Sequence, residues 1–144
     1  MSSTILIGSD HAAVEMKRYL KERLEQDNFS IKDVWTPSAE PIDYPDIAHP
    51  LAELISTGQH EIGILICGSG NGMAMTANKH AWIRAGLCRD KEIASLARKH
   101  NDANILCMPW RYIPNEVAYE IVKVFLTTEF EWWRHEKRVQ KINK

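Results

Sequence analysis

The sequence lacks an excess of charge of either sign: 18 Lys and Arg stand against 19 Asp and Glu, for a formal net charge of −1. Nothing in that balance attracts a polyanion, so nucleic acid is not an expected partner and any phosphate has to be held by locally placed cations. Long hydrophobic runs are missing too. The opening segment, Met1 to Ile7, is too short for a secretory signal, and no stretch approaches the roughly 18 apolar residues of a membrane span. A cytoplasmic protein without membrane contact is therefore expected. Cysteine is scarce. Cys67, Cys88 and Cys107 are the only three; they form no C-x-x-C pair and cannot all pair within one chain, which argues against a disulfide framework and a zinc knuckle. His49, His60 and His80 show no metal-ligand spacing among themselves and are read as structural. Repeats, low-complexity tracts and linkers are absent as well. A chain of 144 residues with 44% hydrophobic and 26% charged residues suits one globular domain over 1–144.

What is present is an alternation of apolar strands and amphipathic helices. Thr4 to Gly8 reads as a short buried strand, and Ala13 to Gln26 as a helix whose Met16, Leu20 and Leu24 recur at i, i+4 and i+8. Ser30 to Trp35 is a second candidate strand. Thr36 to Pro45, with three prolines in ten residues, is expected to stay irregular. Ile47 to Ser56 reads as a helix. Ile62 to Cys67 is the most apolar run and suits a central strand covered on both faces; the glycines of 68–72 then break it. A short helix around Met73 to Lys79, a strand at Ala85 to Cys88, a helix at Lys91 to His100 and a fifth strand at Ile105 to Met108 follow. Pro114 opens a helix to about Thr128 with Val117, Ile121, Val124 and Phe125 on its buried face. The last helix, Trp132 to Ile142, carries more tryptophan than a small domain places on its surface, so it is expected to pack on a second subunit. The pattern implies an α/β sandwich, a five-stranded parallel sheet between helical layers, with ligands beyond the carboxyl ends of the strands. Chemistry is therefore sought at 8–11, 67–72 and 88–90, and just after the fifth strand.

The strongest local signal is Cys-Gly-Ser-Gly-Asn-Gly at 67–72. Three glycines in five residues let successive backbone N–H groups converge on one point ahead of a helix. Such a nest takes either a ligand phosphate or an oxyanion that exists only during reaction, where each donor supplies about 3 to 4 kcal/mol. Cys67 immediately before it favours the second, since a thiol facing the positive end of a helix is suited to act as a base. A small buried hydrophobe is the alternative for Cys67, and the expected role of Cys88 and Cys107. Dinucleotide binding fits poorly: the G-x-G-x-x-G spacing is absent and the loop follows the third strand, although Asp90 lies about 20 residues on, as a ribose-binding acid would. Asp10 is placed to orient His11 or bond sugar hydroxyls, with a helix cap as the alternative, and both roles can coexist. His100-Asn101-Asp102 ends the helix before the fifth strand and is read as pointing to the ligand edge, with a histidine on the helix dipole as the alternative. Arg134 and Arg138, at i and i+4, share a helix face suited to gripping a phosphate, or are solvated; His135, Lys137 and Lys141 are expected to be solvated.

Taken together these residues resemble the ribose-5-phosphate isomerase B family, which includes the galactose-6-phosphate isomerase subunits. The likeness runs over nearly the whole chain, through GSDHAA at 8–13, DYPD at 43–46, ILICGSGNGM at 64–73, ANK at 77–79, IRAGLC at 83–88, RKHNDANIL at 98–106 and RHEKRV at 134–139. The resemblance implies a Rossmann-like sandwich and a homodimer or tetramer with active sites at the subunit boundary. It also implies that neither metal nor cofactor is used. Cys67 would be the base that moves a proton between C2 and C1 of ribose 5-phosphate, His100 would assist ring opening, and Ser69 would support the intermediate. Substrate contacts would come from Asp10, His11 and Tyr44, from Gly68, Gly70, Asn71 and Gly72 in the loop, and from Asn101, Arg111, Arg134 and Arg138, some across the interface. Some relatives place a glutamate base just after the glycine loop; here that position is Met73, which leaves Cys67. An isomerase of allose or galactose 6-phosphate and a non-catalytic subunit binding a sugar phosphate or nucleotide are the alternatives.

Overall fold

The computed structural model describes residues 3–34 and 42–143. Trp35, the end of the expected second strand, and 36–41 of the expected loop lie outside them. Five strands, β1 (Ile5–Ser9), β2 (Ile31–Asp33), β3 (Gly63–Cys67), β4 (Ala85–Leu87) and β5 (Ile105–Pro109), pair in parallel in the order β2-β1-β3-β5-β4. The most apolar run, β3, is the middle strand, and all five of its residues are buried. Parallel strands need crossovers, and these are supplied by α1 (Val14–Gln26), α2 (Pro45–Ser56), α3 (Asn71–Ala77) and α4 (Lys91–Asn101), with α5 (Asn115–Thr127) and α6 (Trp132–Ile142) after the sheet.

Side chains of the three inner strands alternate between two apolar layers. Ile5, Ile7, Ile64, Ile66, Leu106 and Met108 face α1, α4 and α5, where Leu20, Leu24 and Phe125 are wholly enclosed. Leu6, Leu65, Cys67, Ile105 and Cys107 face α2 and α3. Three helix starts differ from expectation, each for a local reason. Asp10 first caps a 3-10 turn at His11–Ala13, so α1 proper begins at Val14. Pro45 is not part of the irregular loop but the first residue of α2, where its missing N–H leaves no bond unmade. Gly70 takes φ +82° and lets α3 begin at Asn71. Among the described residues no helix is long and apolar enough to cross a membrane.

The chain leaves β1 toward β2 on one side and returns with β3 on the other. That reversal opens a crevice beyond the carboxyl ends of β1 and β3, the usual ligand position in such sheets.

Candidate active site

The crevice is floored by the ends of three strands. Cys67 closes β3 opposite Pro109 of β5, with its side chain in the same apolar cluster as Ile47 and Met73. The pairing continues past the strands: the Trp110 amide donates to the Cys67 carbonyl at 3.0 Å and the Arg111 amide to the Gly68 carbonyl at 3.3 Å. This zipper brings the Arg111 guanidinium onto the glycine loop, where a Cβ on Gly68 would lie 3.3 Å from its Nε. Tyr44, at the start of α2, lies across Gly72 so closely that a Cβ there would stand 2.4 Å from the ring. Within the loop, Ser69 Oγ accepts from the Asn71 amide at 3.2 Å, a bond that engages an oxygen lone pair and not the hydroxyl proton. At β1, Asp10 Oδ1 accepts from the Ala12 and Ala13 amides at 3.1 and 3.0 Å, which makes Asp10 a cap, and His11 is exposed beside it. Met73, just after the loop, is wholly buried and carries no ionisable group.

Gly70 carries two demands at once. Its φ is +82°, and a Cβ would stand 2.4 Å from Leu87 Cδ1 and 3.1 Å from the Met108 carbonyl carbon. Gly58 shares the left-handed backbone, φ +83°, with open space around it. Gly58→Ala is expected to cost only the backbone strain, about 1 kcal/mol, whereas Gly70→Ala adds the clash and is expected to cost about 2 to 4 kcal/mol. Thermal melts of the two variants give the comparison; equal losses would mean that Leu87 yields freely.

The other expected residues lie elsewhere. The reading that His100 and Asn101 point to the ligand edge is corrected. A crossover helix runs antiparallel to its strands, so α4 starts at the carboxyl edge, where Asp90 Oδ1 caps the Ile93 amide at 2.9 Å, and ends at the amino edge. Asp90 is thus a helix cap rather than a ribose acid. The length of β5, Ile105–Pro109, separates the edges by roughly 15 Å. His100 and Asn101 of a chain therefore do not meet its own Cys67. Asn101 opens instead on a cavity of about 550 Å³ shared with Asn78, Trp82 and Ile142.

At that amino edge α6 packs on the end of α4, joined by a bond from the Glu131 amide to the Lys99 carbonyl at 3.0 Å. Asp102, at the left-handed end of α4, pairs with Arg84 and Arg98. His135, expected in solvent, is only 4% exposed. It stacks on His100 at 4.4 Å between ring centroids and its Nε2 accepts from Arg134 Nε at 3.2 Å. Burial lowers its pKa, helped by His100, Arg134 and Arg138, with Glu131 opposing weakly. The sequence does carry a signal for this: His135, Val139 and Ile142 fall at i, i+4 and i+7, and the first two are buried. Arg134 and Arg138 remain exposed on α6, as do Trp132 and Trp133 at 61% and 86%.

His100, Glu131 and His135 are the described residues that come nearest to a metal-binding group, with ligand atoms all within 4.8 Å of one another. Donors around a tetrahedral ion with bonds near 2.0 Å sit only about 3.3 Å apart, and His135 Nε2 is already engaged by Arg134. The geometry is that of a hydrogen-bonded stack. His49 and His80 bond to each other at 2.7 Å on the surface.

The thiols separate clearly. Burial, reinforced by Asp90, pushes Cys88 up to about 12, and full burial next to Cys67 and Cys88 raises Cys107 well above its ordinary range. Neither forms a thiolate near neutrality; Cys67, 6% exposed, is the one of the three at the mouth of the glycine loop. Iodoacetamide at neutral pH is expected to alkylate Cys67 alone in the native protein, with the other two reacting only after unfolding. Peptide mass mapping reads this out, and native labelling of Cys88 ahead of Cys67 would contradict it.

Comparison with known proteins places the chain in a family. Residues 5–142 match the family model described as Ribose/Galactose Isomerase. A probable ribose-5-phosphate isomerase B of Mycoplasma pneumoniae is 43% identical, over 99% of this chain and 94% of that protein. A D-erythrulose-4-phosphate isomerase of Pectobacterium atrosepticum is 40% identical, over 96% and 92%. The crystal structure of a ribose 5-phosphate isomerase from Thermotoga maritima superposes with a TM-score of 0.94 at 44% identity, covering 99% of both chains. The matching fold, the family model over residues 5–142 and the near-complete coverage lead to one assignment: the chain belongs to the ribose/galactose isomerase family of sugar-phosphate isomerases.

Proposed function

We propose that the protein interconverts ribose 5-phosphate and ribulose 5-phosphate, and that it does so as a homodimer whose active sites are each shared. The observation that carries the chemistry is Cys67 at the mouth of the glycine loop, with Met73 buried beside it and Arg111 laid across Gly68. The split of the expected residues between two sheet edges supports the dimer. A two-fold partner can bring its His100, Asn101, Arg134 and Arg138 over the Cys67 crevice of the first chain, and a two-fold axis makes the second site in the same contact.

In this mechanism the arginines hold the substrate phosphate. His100 assists ring opening: the C1–O4 bond breaks, O4 gains a proton and the C1 hydroxyl loses one. Asp10, His11 and Tyr44 orient the open-chain sugar. Cys67, as thiolate, takes the proton from C2, and the electron pair moves to give an enediolate. Loop N–H groups from Gly68 to Gly72 and the Ser69 hydroxyl stabilise that negative charge. Cys67 returns the proton to C1 and a proton passes from O2 to O1, leaving a ketone at C2. A placed base contributes about 10² to 10⁴-fold, and the donors a similar factor.

A second reading keeps the chemistry and changes the chain length of the sugar, favoured by the relative that acts on D-erythrulose 4-phosphate. The deciding experiment measures kcat/KM, with excess chelator present, for ribose 5-phosphate against four-carbon and six-carbon sugar phosphates. Ribose 5-phosphate is expected to be preferred. A higher value for another sugar moves the assignment to it; binding without turnover of any would leave a non-catalytic subunit.

A further inference from the structure

We infer that His135 is a positioning residue that holds two substrate-handling groups at once: it braces the His100 ring by stacking and aims the Arg134 guanidinium by accepting its Nε–H. The inference rests on the proposed function for the roles of His100 and Arg134, and on this chain's own packing for the rest. His135 lies in the interior of the α4–α6 contact, 4% exposed, while Arg134 on one side of it is exposed and His100 on the other is half-buried. Its ring lies 4.4 Å from that of His100 at an interplanar angle of 23°. The 3.2 Å bond from Arg134 Nε fixes the unprotonated nitrogen as Nε2. Glu131 Oε1, 3.9 Å from the same nitrogen, acts against this by favouring a protonated ring, and is the smallest of the influences on it. Burial first, then His100, Arg134 and Arg138, lowers the His135 pKa, the direction that favours the neutral ring an acceptor requires.

This arrangement has a consequence for Arg134. A guanidinium has five N–H donors in one plane; with Nε tied inward, the two terminal nitrogens face outward as a pair, the geometry that grips a phosphate bidentately. A flexible arginine would have to be ordered by the ligand at the cost of side-chain entropy, and His135 orders it beforehand. His100 is held in the same way, by a flat partner on one face of its ring. One buried side chain thus sets the distance between the group that opens the sugar and a group that holds its phosphate.

The two functions of His135 separate by substitution. Phenylalanine keeps a flat ring against His100 and removes the acceptor. Glutamine places an oxygen near Nε2 and removes the stack. His135→Phe is expected to raise KM for ribose 5-phosphate about ten-fold, from the lost hydrogen bond to a charged group, with kcat within about two-fold. His135→Gln is expected to lower kcat about ten-fold through misplacement of His100, with KM within about two-fold. Calorimetric titration with inorganic phosphate should show about ten-fold weaker binding in His135→Phe and wild-type binding in His135→Gln. Each variant carries its own decisive result, so misfolding of one leaves the other. If kcat and KM move in the same proportion in both, or if neither moves, the positioning role is overturned. Failure of the proposed function looks different: the wild type would not turn over ribose 5-phosphate at all, and the phosphate titration would still decide the Arg134 half of the inference, with unchanged affinity in His135→Phe overturning it.

Discussion

Cys67→Ala is expected to lower kcat for sugar-phosphate isomerisation by about 10² to 10⁴-fold while KM stays close to the wild-type value. The side chain closes β3 at the crevice floor, and the position just after the loop is the enclosed, non-ionisable Met73. Binding is assigned to other groups, and an interaction made only in the transition state lowers kcat and kcat/KM together. Structure is little affected: deleting one buried sulfur at the margin of the α2–α3 cluster costs about 1 kcal/mol, a shift of a few degrees in melting temperature. Cys67→Ser separates the two causes, since it preserves the volume and removes the thiolate; it is expected to be as inactive as the alanine variant. Cys107→Ala, fully buried in the same layer, serves as a control with normal kcat. Full activity in Cys67→Ser would remove Cys67 as the base and with it the proposed mechanism.

Mixing two dead variants is expected to restore activity. Cys67→Ala and His100→Ala homodimers each lack an essential group in both sites. When they are unfolded together and refolded in equal amounts, half the dimers are mixed. In a mixed dimer the intact Cys67 of one chain meets the intact His100 of the other, so one site of two is complete. About a quarter of the wild-type activity should return, the value a two-fold dimer with shared sites requires. If each chain supplied its own His100, every site in the mixture would carry a defect and nothing would return. The expectation rests on the proposed shared dimer, and the placement that motivates it is that α4 delivers His100 to the amino edge of the sheet, with the length of β5 between it and Cys67.

Much of this site is legible in the residues themselves. The apolar run ending at Cys67 is short, bounded by glycines and unbroken by charge, which suits a strand covered on both faces, and it is the central one. The three glycines of 68–72 mark where the chain must turn sharply and approach other groups closely, and Arg111 and Tyr44 do lie against them. Helix faces follow from spacing: Met16, Leu20 and Leu24 point inward as their period requires. These features are local, so composition and period suffice to read them.

The motif at His100, followed along the chain, leads to the wrong edge of the sheet, because the crossover sends the end of a helix back to the start of the next strand. Charged neighbours in sequence suggest solvent for His135; its spacing with Val139 and Ile142 marks an inward face, but what encloses it is α6 lying on α4, a contact between segments about thirty residues apart. That Asp10 and Asp90 each cap a helical turn is visible only in the folded chain, from the positions of the Ala12, Ala13 and Ile93 amides. The sheet, its central strand and the cysteine beside the glycine loop are thus written in the order of residues, since short-range sterics and hydrophobic period act within a few positions. Which edge each half of the site occupies, and which histidine is enclosed, depend on the folded chain, because helix direction and helix-on-helix packing are set by contacts between its distant parts.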